Sequence, residues 1–362
     1  MPPPVSVCIA NYNGERVLPA TLAALAAVAD ELGAGAEVVI ADDASTDASV
    51  EVALRAWPGA HVLRARARRG PASARNDALR AASHDLVLFL DNDMQVRRGC
   101  IAALAEALAA DAAAVAAMPC VLHAARPEVV QYDGAGAHML GLMTLDNEER
   151  PASEIDLATR AIGSIVSSCM LVDRRRLAAL LGVAAAAEPF DPEFGIYLED
   201  HDFALRARLA GARLLSVPRA RALHGAGTEG LSLRRGGSYA RERVRALIRN
   251  RWRIVVKAYS PGMLVALTPA LLLFEAAQLA GAIAKGRLGS YVAAARELIA
   301  RRHDVLARRR QFQATRSIPD TELLSSAGRP FAGAAARGWF ERAALAVILR
   351  VAALNWRFTR RR

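Results

Sequence analysis

Short apolar runs alternate with helix-length stretches in the first third of the chain, and each run ends in polar residues. Val5–Ala10, Glu37–Ala41, His61–Arg64 and Asp85–Leu90 read as strands. Between them, about Val17–Leu32, Ala48–Ala56 and Pro71–Ala82 read as helices, and helix 99–110 with strand 113–118 continues the pattern. Runs that are apolar throughout, rather than at every second position, belong to strands buried on both faces. The alternation therefore predicts an α/β fold with a mostly parallel central sheet flanked by helices. Ligands in such folds sit beyond the carboxyl ends of the strands. Every polar cluster met so far lies at such an end.

From 120 to 165 the pattern dissolves into mixed, glycine-containing sequence. Order returns with a strand over 165–172 and a helix over Arg174–Leu181. A turn at Phe190–Phe194, a helix over Asp202–Ala210 and two short strands, Arg213–Pro218 and Ala220–His224, follow. Gly225–Gly230 reads as a mobile loop. Beyond 231 the composition changes: residues 231–362 hold 26 Lys/Arg against 7 Asp/Glu, and residues 1–230 hold 21 against 29. That asymmetry predicts two domains, 1–230 and 231–362, the second helical and basic with a polyanionic partner such as a membrane surface. Pro261–Ala284 carries a single charge, Glu275, and is long enough to span a bilayer or to lie in its interface between arginines. Met-Pro-Pro-Pro at the start has neither a basic nor an apolar leader region, so the catalytic part is expected on the cytoplasmic side. Cys8, Cys100, Cys120 and Cys169 lack metal-ligand spacing and read as buried free thiols.

Asp91-Asn92-Asp93 ends the apolar run Leu86–Leu90. Carboxylates crowded at a strand tip repel and raise each other's proton affinity unless a cation relieves them. Mn²⁺ or Mg²⁺ does so and keeps room for substrate phosphates, so Asp91 and Asp93 are candidate metal ligands. Asp43, after the second strand, can accept a hydrogen bond from a base or ribose, or can close an Asx turn as Asp42 and Asp47 can. Arg75 and Asn76 lie in the helix leading to the metal strand, where an arginine can steady a diphosphate or make a surface salt bridge. Glu199-Asp200-His201-Asp202 crowds charge on one helical turn, and Asp200 is the candidate general base. His224 can complete a metal shell as neutral imidazole.

Taken together, Val5-Ser6-Val7-Cys8-Ile9-Ala10-Asn11-Tyr12-Asn13, Asp42–Asp47, Ala74-Arg75-Asn76, Phe89–Asp93 and Glu199–Asp202, with His224 after them, resemble a family 2 glycosyltransferase of GT-A fold. Ala10-Asn11 departs from the Pro or Thr common there. The resemblance implies a Rossmann-like catalytic domain in which Ala10, Tyr12, Glu15 and Asp43 surround a nucleoside. Arg75, Asp91, Asn92 and Glu199 complete the nucleotide-sugar site. It implies Asp91, Asp93 and His224 as ligands of Mn²⁺ or Mg²⁺ and Asp200 as base of an inverting transfer. The donor would be a nucleotide-diphosphate sugar and the acceptor a glycan or lipid-linked glycan. The C-terminal region would resemble a membrane-attached tail.

Two other classes stay open on the residues alone. A metal-dependent nucleotidyl or pyrophosphoryl enzyme would use the same carboxylates without needing Asp200. A basic membrane or nucleic-acid adaptor would need only the arginine-rich tail, but Trp252, Trp339 and Trp356 are too dispersed for a base-stacking platform, so nucleic acid is not an expected partner.

Overall fold

The structure, a computed structural model, describes residues 3–225, 241–328 and 339–360. Strands β1 (Val5–Asn11), β2 (Glu37–Asp42), β3 (His61–Arg64) and β4 (Leu86–Asp91) lie parallel in the order β3-β2-β1-β4. Val7, Cys8, Ile9, Val39 and Leu88 are fully buried, which is why β1, β2 and β4 read as apolar runs, whereas β3 at the sheet edge is partly exposed. Helices α1 (Leu18–Ala26), α2 (Ser49–Ala56) and α3 (Pro71–Ala81) connect them. The helix expected over Val17–Leu32 stops at Ala26, and a single 3-10 turn, Ala29–Glu31, finishes the connection. No polar side chain caps α2: Asp42 accepts from the Ser45 amide and Asp47 from the Ser49 amide, so the aspartates close Asx turns.

Past β4 the sheet becomes mixed. After β5 (Met94–Val96) and α4 (Cys100–Ala110), β6 runs from Ala114 to His123, longer than its apolar stretch suggested, and turns back as β7 (Arg126–Tyr132). The stretch expected to be irregular also holds β8 (Ala135–His138), β9 (Leu142–Leu145) and β10 (Arg160–Ala161). Strand β11 (Cys169–Asp173) inserts antiparallel between β4 and β6. Helices α5 (Arg174–Leu181) and α6 (Val183–Ala187) lead on to α7 (Glu199–Leu209), which starts three residues before the expected Asp202. One strand, β12 (Arg213–His224), replaces the two expected, with a register shift between Val217 and Arg221.

The remaining described elements are helices: α8 (Arg241–Ala258), α9 (Pro261–Ala284), α10 (Leu288–Ala300), α11 (Arg302–Ala314), α12 (Asp320–Leu323) and α13 (Trp339–Thr359). Two large apolar cores result, beside a small cluster of Cys120, Leu122, Val130 and Ile155. The first fills the sheet and its helices. The second joins Phe194, Leu198, Leu205 and Leu209 to Ile254, Tyr259, Leu267, Phe274, Phe312 and Trp356, and so draws on both sides of residue 230.

Candidate active site

The end of β4 builds the first half of the site. Its paired strand β1 places Ala10 opposite Asp91 and Asn11 opposite Asp42. Asn11, buried, donates to Asp42 Oδ1 at 2.8 Å and accepts from Asn92 Nδ2 at 2.9 Å, so the tips of β2, β1 and β4 form one hydrogen-bonded row. Gly14 leaves room for it: a Cβ there would lie 2.1 Å from Asn11 Oδ1 and 2.6 Å from Asn92 Nδ2.

Strand β5 then pairs antiparallel with β12, setting Met94 opposite His224. That register brings His224 Nε2 to 3.3 Å from Asp93 Oδ1, and ligand atoms of Asp91, Asp93 and His224 all lie within 4.8 Å of one another. On the far side of the ring, His224 Nδ1 is 2.8 Å from Gln131 Oε1 on β7. An amide oxygen there can accept a proton on Nδ1, the tautomer in which Nε2 is available to a metal ion beside Asp93. Metal-binding histidines are held by the same kind of partner. Two carboxylates and a neutral imidazole suit Mn²⁺, and with water also Mg²⁺. Sequence reasoning missed Gln131, because it lies in the stretch that carried no strand pattern.

Asp200 and its neighbours form the second half, and helical geometry sends the four side chains of 199–202 in four directions. Glu199 Oε1 takes Arg75 Nη1 at 2.8 Å, while Arg75 Nη2 reaches Asp91 Oδ1 at 2.7 Å. The two acidic clusters, about a hundred residues apart in the chain, thus share one buried guanidinium. Asp200 Oδ1 accepts from the His201 amide at 2.8 Å, and Oδ2 lies 3.4 Å from the Ser167 amide. Burial, then the Glu199 charge, push the Asp200 carboxyl up to about 7. His201 lies against Ser164 Oγ at 2.7 Å, and burial lowers it to about 3, so it stays neutral at physiological pH. Asp202 meets Lys257 Nζ at 2.7 Å. Of these four residues, Asp200 alone combines a base's proton affinity with freedom from a cationic partner at salt-bridge distance.

Ser167 and Ser168 stitch the halves together. The Ser168 carbonyl accepts from the Asp91 amide at 2.8 Å, and the next amide back faces Asp200. The metal-type cluster and Asp200, the candidate base, therefore sit in one site, with Arg75 and β11's entry between them.

The nucleoside-side residues are placed differently. Asp43 is buried, and its oxygens accept from the Arg69 and Gly70 amides at 2.8 and 2.7 Å, fixing the loop before α3. Gly70, at φ +91°, touches Gly195; a Cβ would meet the Gly195 carbonyl oxygen at 2.6 Å. Tyr12 is half-buried, with the Arg68 guanidinium 4.3 Å above its ring. The Glu15 carboxylate accepts from the Ala48 amide at 3.3 Å. Asn76 holds the Phe190 carbonyl at 2.7 Å and is a support of the site's floor. Most of the loop expected at Gly225–Gly230 lies outside the described residues; Gly225 itself donates to the Asp93 carbonyl at 2.8 Å.

The sequence profile of glycosyl transferase family 2 matches residues 6–143, from β1 into β9. No curated protein sequence matches the chain. Among solved structures, GalNAc-T7 with UDP, GalNAc and Mn²⁺ is similar at TM-score 0.55 and 20% identity, over 74% of this chain and 51% of that one. The chain thus spans about half the length of GalNAc-T7. TarS 1–349 of S. aureus in complex with UDP-GlcNAc is similar at TM-score 0.50 and 18% identity, over 98% of this chain and 91% of that one. At these identities the likeness is one of fold, and the fold is GT-A.

Proposed function

We propose that the protein is an inverting glycosyltransferase that moves a sugar from a nucleotide-diphosphate donor to an acceptor hydroxyl. The observation that carries this reading is the shared guanidinium: Arg75 joins Asp91 of the metal-type cluster to Glu199, the neighbour of Asp200. Asp91, Asp93 and His224 would hold the divalent ion, and Mn²⁺ in the GalNAc-T7 structure supports that assignment. When bound, Mn²⁺ or Mg²⁺ supplies Lewis-acid stabilisation of the departing diphosphate. Arg75, charged and buried, holds Asp91 and Glu199 at a fixed separation and would set the metal-type cluster relative to Asp200. Ala10, Tyr12, Glu15 and Asp43 would frame the nucleoside, with Asn92 and Glu199 beside the sugar. Asp200 takes the acceptor hydroxyl proton as that oxygen bonds to the anomeric carbon. The bond to the phosphate oxygen breaks with its electron pair leaving on the nucleoside diphosphate. Attack from the opposite face inverts the configuration.

The acceptor is proposed to be a glycan or lipid-linked glycan of the cell envelope, reached at the cytoplasmic face of a membrane. Helix α9 is long and apolar enough to cross a bilayer. Its one charge, Glu275, points inward to Arg251 at 2.7 Å, Trp252 at 2.9 Å and Tyr291, while Val265, Leu272 and Ile283 stand exposed. Val347, Leu354 and Phe358 on α13 are exposed as well, with Arg350 and Arg357 beside them. Helices tied to the body by polar bonds, with an apolar outer face and arginines, suit a position in the interface better than a span.

Thermal shift with UDP-, GDP- and dTDP-sugars, each with and without Mn²⁺, tests the donor and metal. The expected result is a metal-dependent stabilisation by one nucleotide class; no shift with any would defeat the reading. Flotation should carry the full chain with vesicles containing anionic lipid and leave it behind with neutral ones. Recovery in the soluble fraction with both would exclude the membrane assignment.

A further inference from the structure

The segment that delivers the base is strained. Tyr197 and Leu198, directly before Glu199, have φ of +71° and +65°, the left-handed region that side chains larger than glycine avoid. Leu198 occupies the N-cap position of α7 and offers no side-chain cap. Such a backbone persists only where its surroundings over-determine it. Here they do so from the far side of residue 230. Asn250, fully buried on α8, points its Nδ2 at three carbonyl oxygens of this segment: Phe194 at 3.0 Å, Ile196 at 3.0 Å and Tyr197 at 2.8 Å. Arg249 adds a bond to the Phe194 carbonyl at 2.8 Å and another to Asn250 Oδ1 at 2.9 Å, which fixes the amide's orientation. Seven residues on, on the same face of the helix, Lys257 grips Asp191 at 2.8 Å and Asp202 at 2.7 Å. Helix α8 therefore holds the segment 191–202 at its start, at its strained middle and just past Asp200.

We propose that Asn250 is a positioning residue for the Asp200 base, so that α8, the first helix of the basic C-terminal region, is part of the catalytic apparatus. Asn250 touches neither donor nor acceptor. It acts by fixing the left-handed entry to α7, and so the direction in which the Asp200 carboxylate leaves the helix. The role rests on the reading of Asp200 as base given above.

The test compares the full-length wild type with Asn250→Asp, in which the amide donor becomes a carboxylate facing three carbonyl oxygens. Turnover is read as release of nucleoside diphosphate from the nucleotide sugar that stabilises the wild type. Binding is read as the thermal shift given by UDP, GDP or dTDP with Mn²⁺, and the order of the α7 entry by hydrogen exchange over residues 196–203. The expected result is a fall in kcat on the order of 100-fold, the scale set by about 1 Å of misplacement. Faster exchange at 196–203 should accompany it, while the nucleotide–Mn²⁺ shift is retained. Unchanged kcat would overturn the proposal whether or not exchange rises, because a merely structural amide would loosen the segment without touching the chemistry. Loss of kcat together with the nucleotide–Mn²⁺ shift would overturn it as well, since the damage would then be general. Asn250→Ser, which keeps one short donor, carries the same comparison if the aspartate variant does not fold. A wild type that releases no nucleoside diphosphate from any sugar would refute the transferase reading alone; the exchange comparison would still decide whether Asn250 holds the entry to α7.

Discussion

Asp200→Asn should lower sugar transfer by about 10²- to 10⁴-fold, the usual worth of a positioned general base, while nucleotide and Mn²⁺ still bind. The amide fills the same space and cannot take a proton. In the wild type, transfer should rise with pH through about 7, where Asp200 loses its proton, and that limb should vanish in the variant. Stability should move the other way. A carboxyl whose folded pKa is raised above its unfolded value stabilises the fold below the unfolded pKa, and that contribution is lost as pH rises through the folded one. For Asp200 the window runs from about 4 to about 7. Buried and crowded by Glu199, the ionised form is a burden on the apo fold that asparagine removes. The melting temperature of Asp200→Asn relative to wild type should therefore climb across that window and level off above it. Transfer at wild-type rate, or a melting difference that does not change with pH, would show that Asp200 is not the buried base.

How far the sequence disclosed this site depends on what each residue does locally. His224 stood out mainly through the family resemblance, whereas Asp91, Asp93 and Asp200 stood out as candidates because acids after an apolar strand, or packed on one helical turn, have few cheap structural uses. The parallel half of the sheet was legible for the same reason: a strand buried on both faces leaves an unbroken apolar run. β7 to β10 were not, because they alternate or lie partly exposed, and glycine and alanine at 134–137 carry little propensity. β11 reads like any other buried strand, and nothing in Cys169–Asp173 says that it runs antiparallel. Gln131 and Asn250 could not be found from sequence at all. Each acts through one long-range contact, with His224 or with the 194–197 carbonyls, and an isolated amide residue has no spacing to reveal it. In the basic stretch the arginine excess hid the rest: Arg251 and Lys257 look like surface charge, yet both are buried and partnered. Composition shifts at 231, but the packing that matters for Asp200 does not stop there.

Lys257→Met should cost about 3–5 kcal/mol of stability at neutral pH, the penalty for leaving buried charges without their counter-ion. The ammonium lies 2.8 Å from Asp191 Oδ2 and 2.7 Å from Asp202 Oδ1, with the Phe194 and Phe312 rings 4.6 and 5.2 Å from it. Methionine replaces the stem, so packing is largely kept, but two carboxylates then face each other in an apolar shell. Arg308 Nε, 3.4 Å from Asp191 Oδ1, compensates one of them in part. The pH dependence identifies the cause. Lys257 holds the Asp191 carboxyl below the usual range, so in wild type its contribution is present above the unfolded carboxylate pKa and is lost as pH falls through the folded one. Burial already raises Asp202 against the pull of Lys257; without the lysine it rises further, and its penalty grows with pH above about 4. Both effects have the same sign, so the gap between variant and wild type in urea denaturation should close only as pH falls below about 4 and should widen from there toward pH 7. Adding Asp202→Asn to the variant removes the stranded charge and should recover part of the loss, whereas two independent defects would add. A gap that is constant with pH, or a double variant less stable than Lys257→Met, would mean that α8 holds the base helix through packing alone and that its buried charges are incidental.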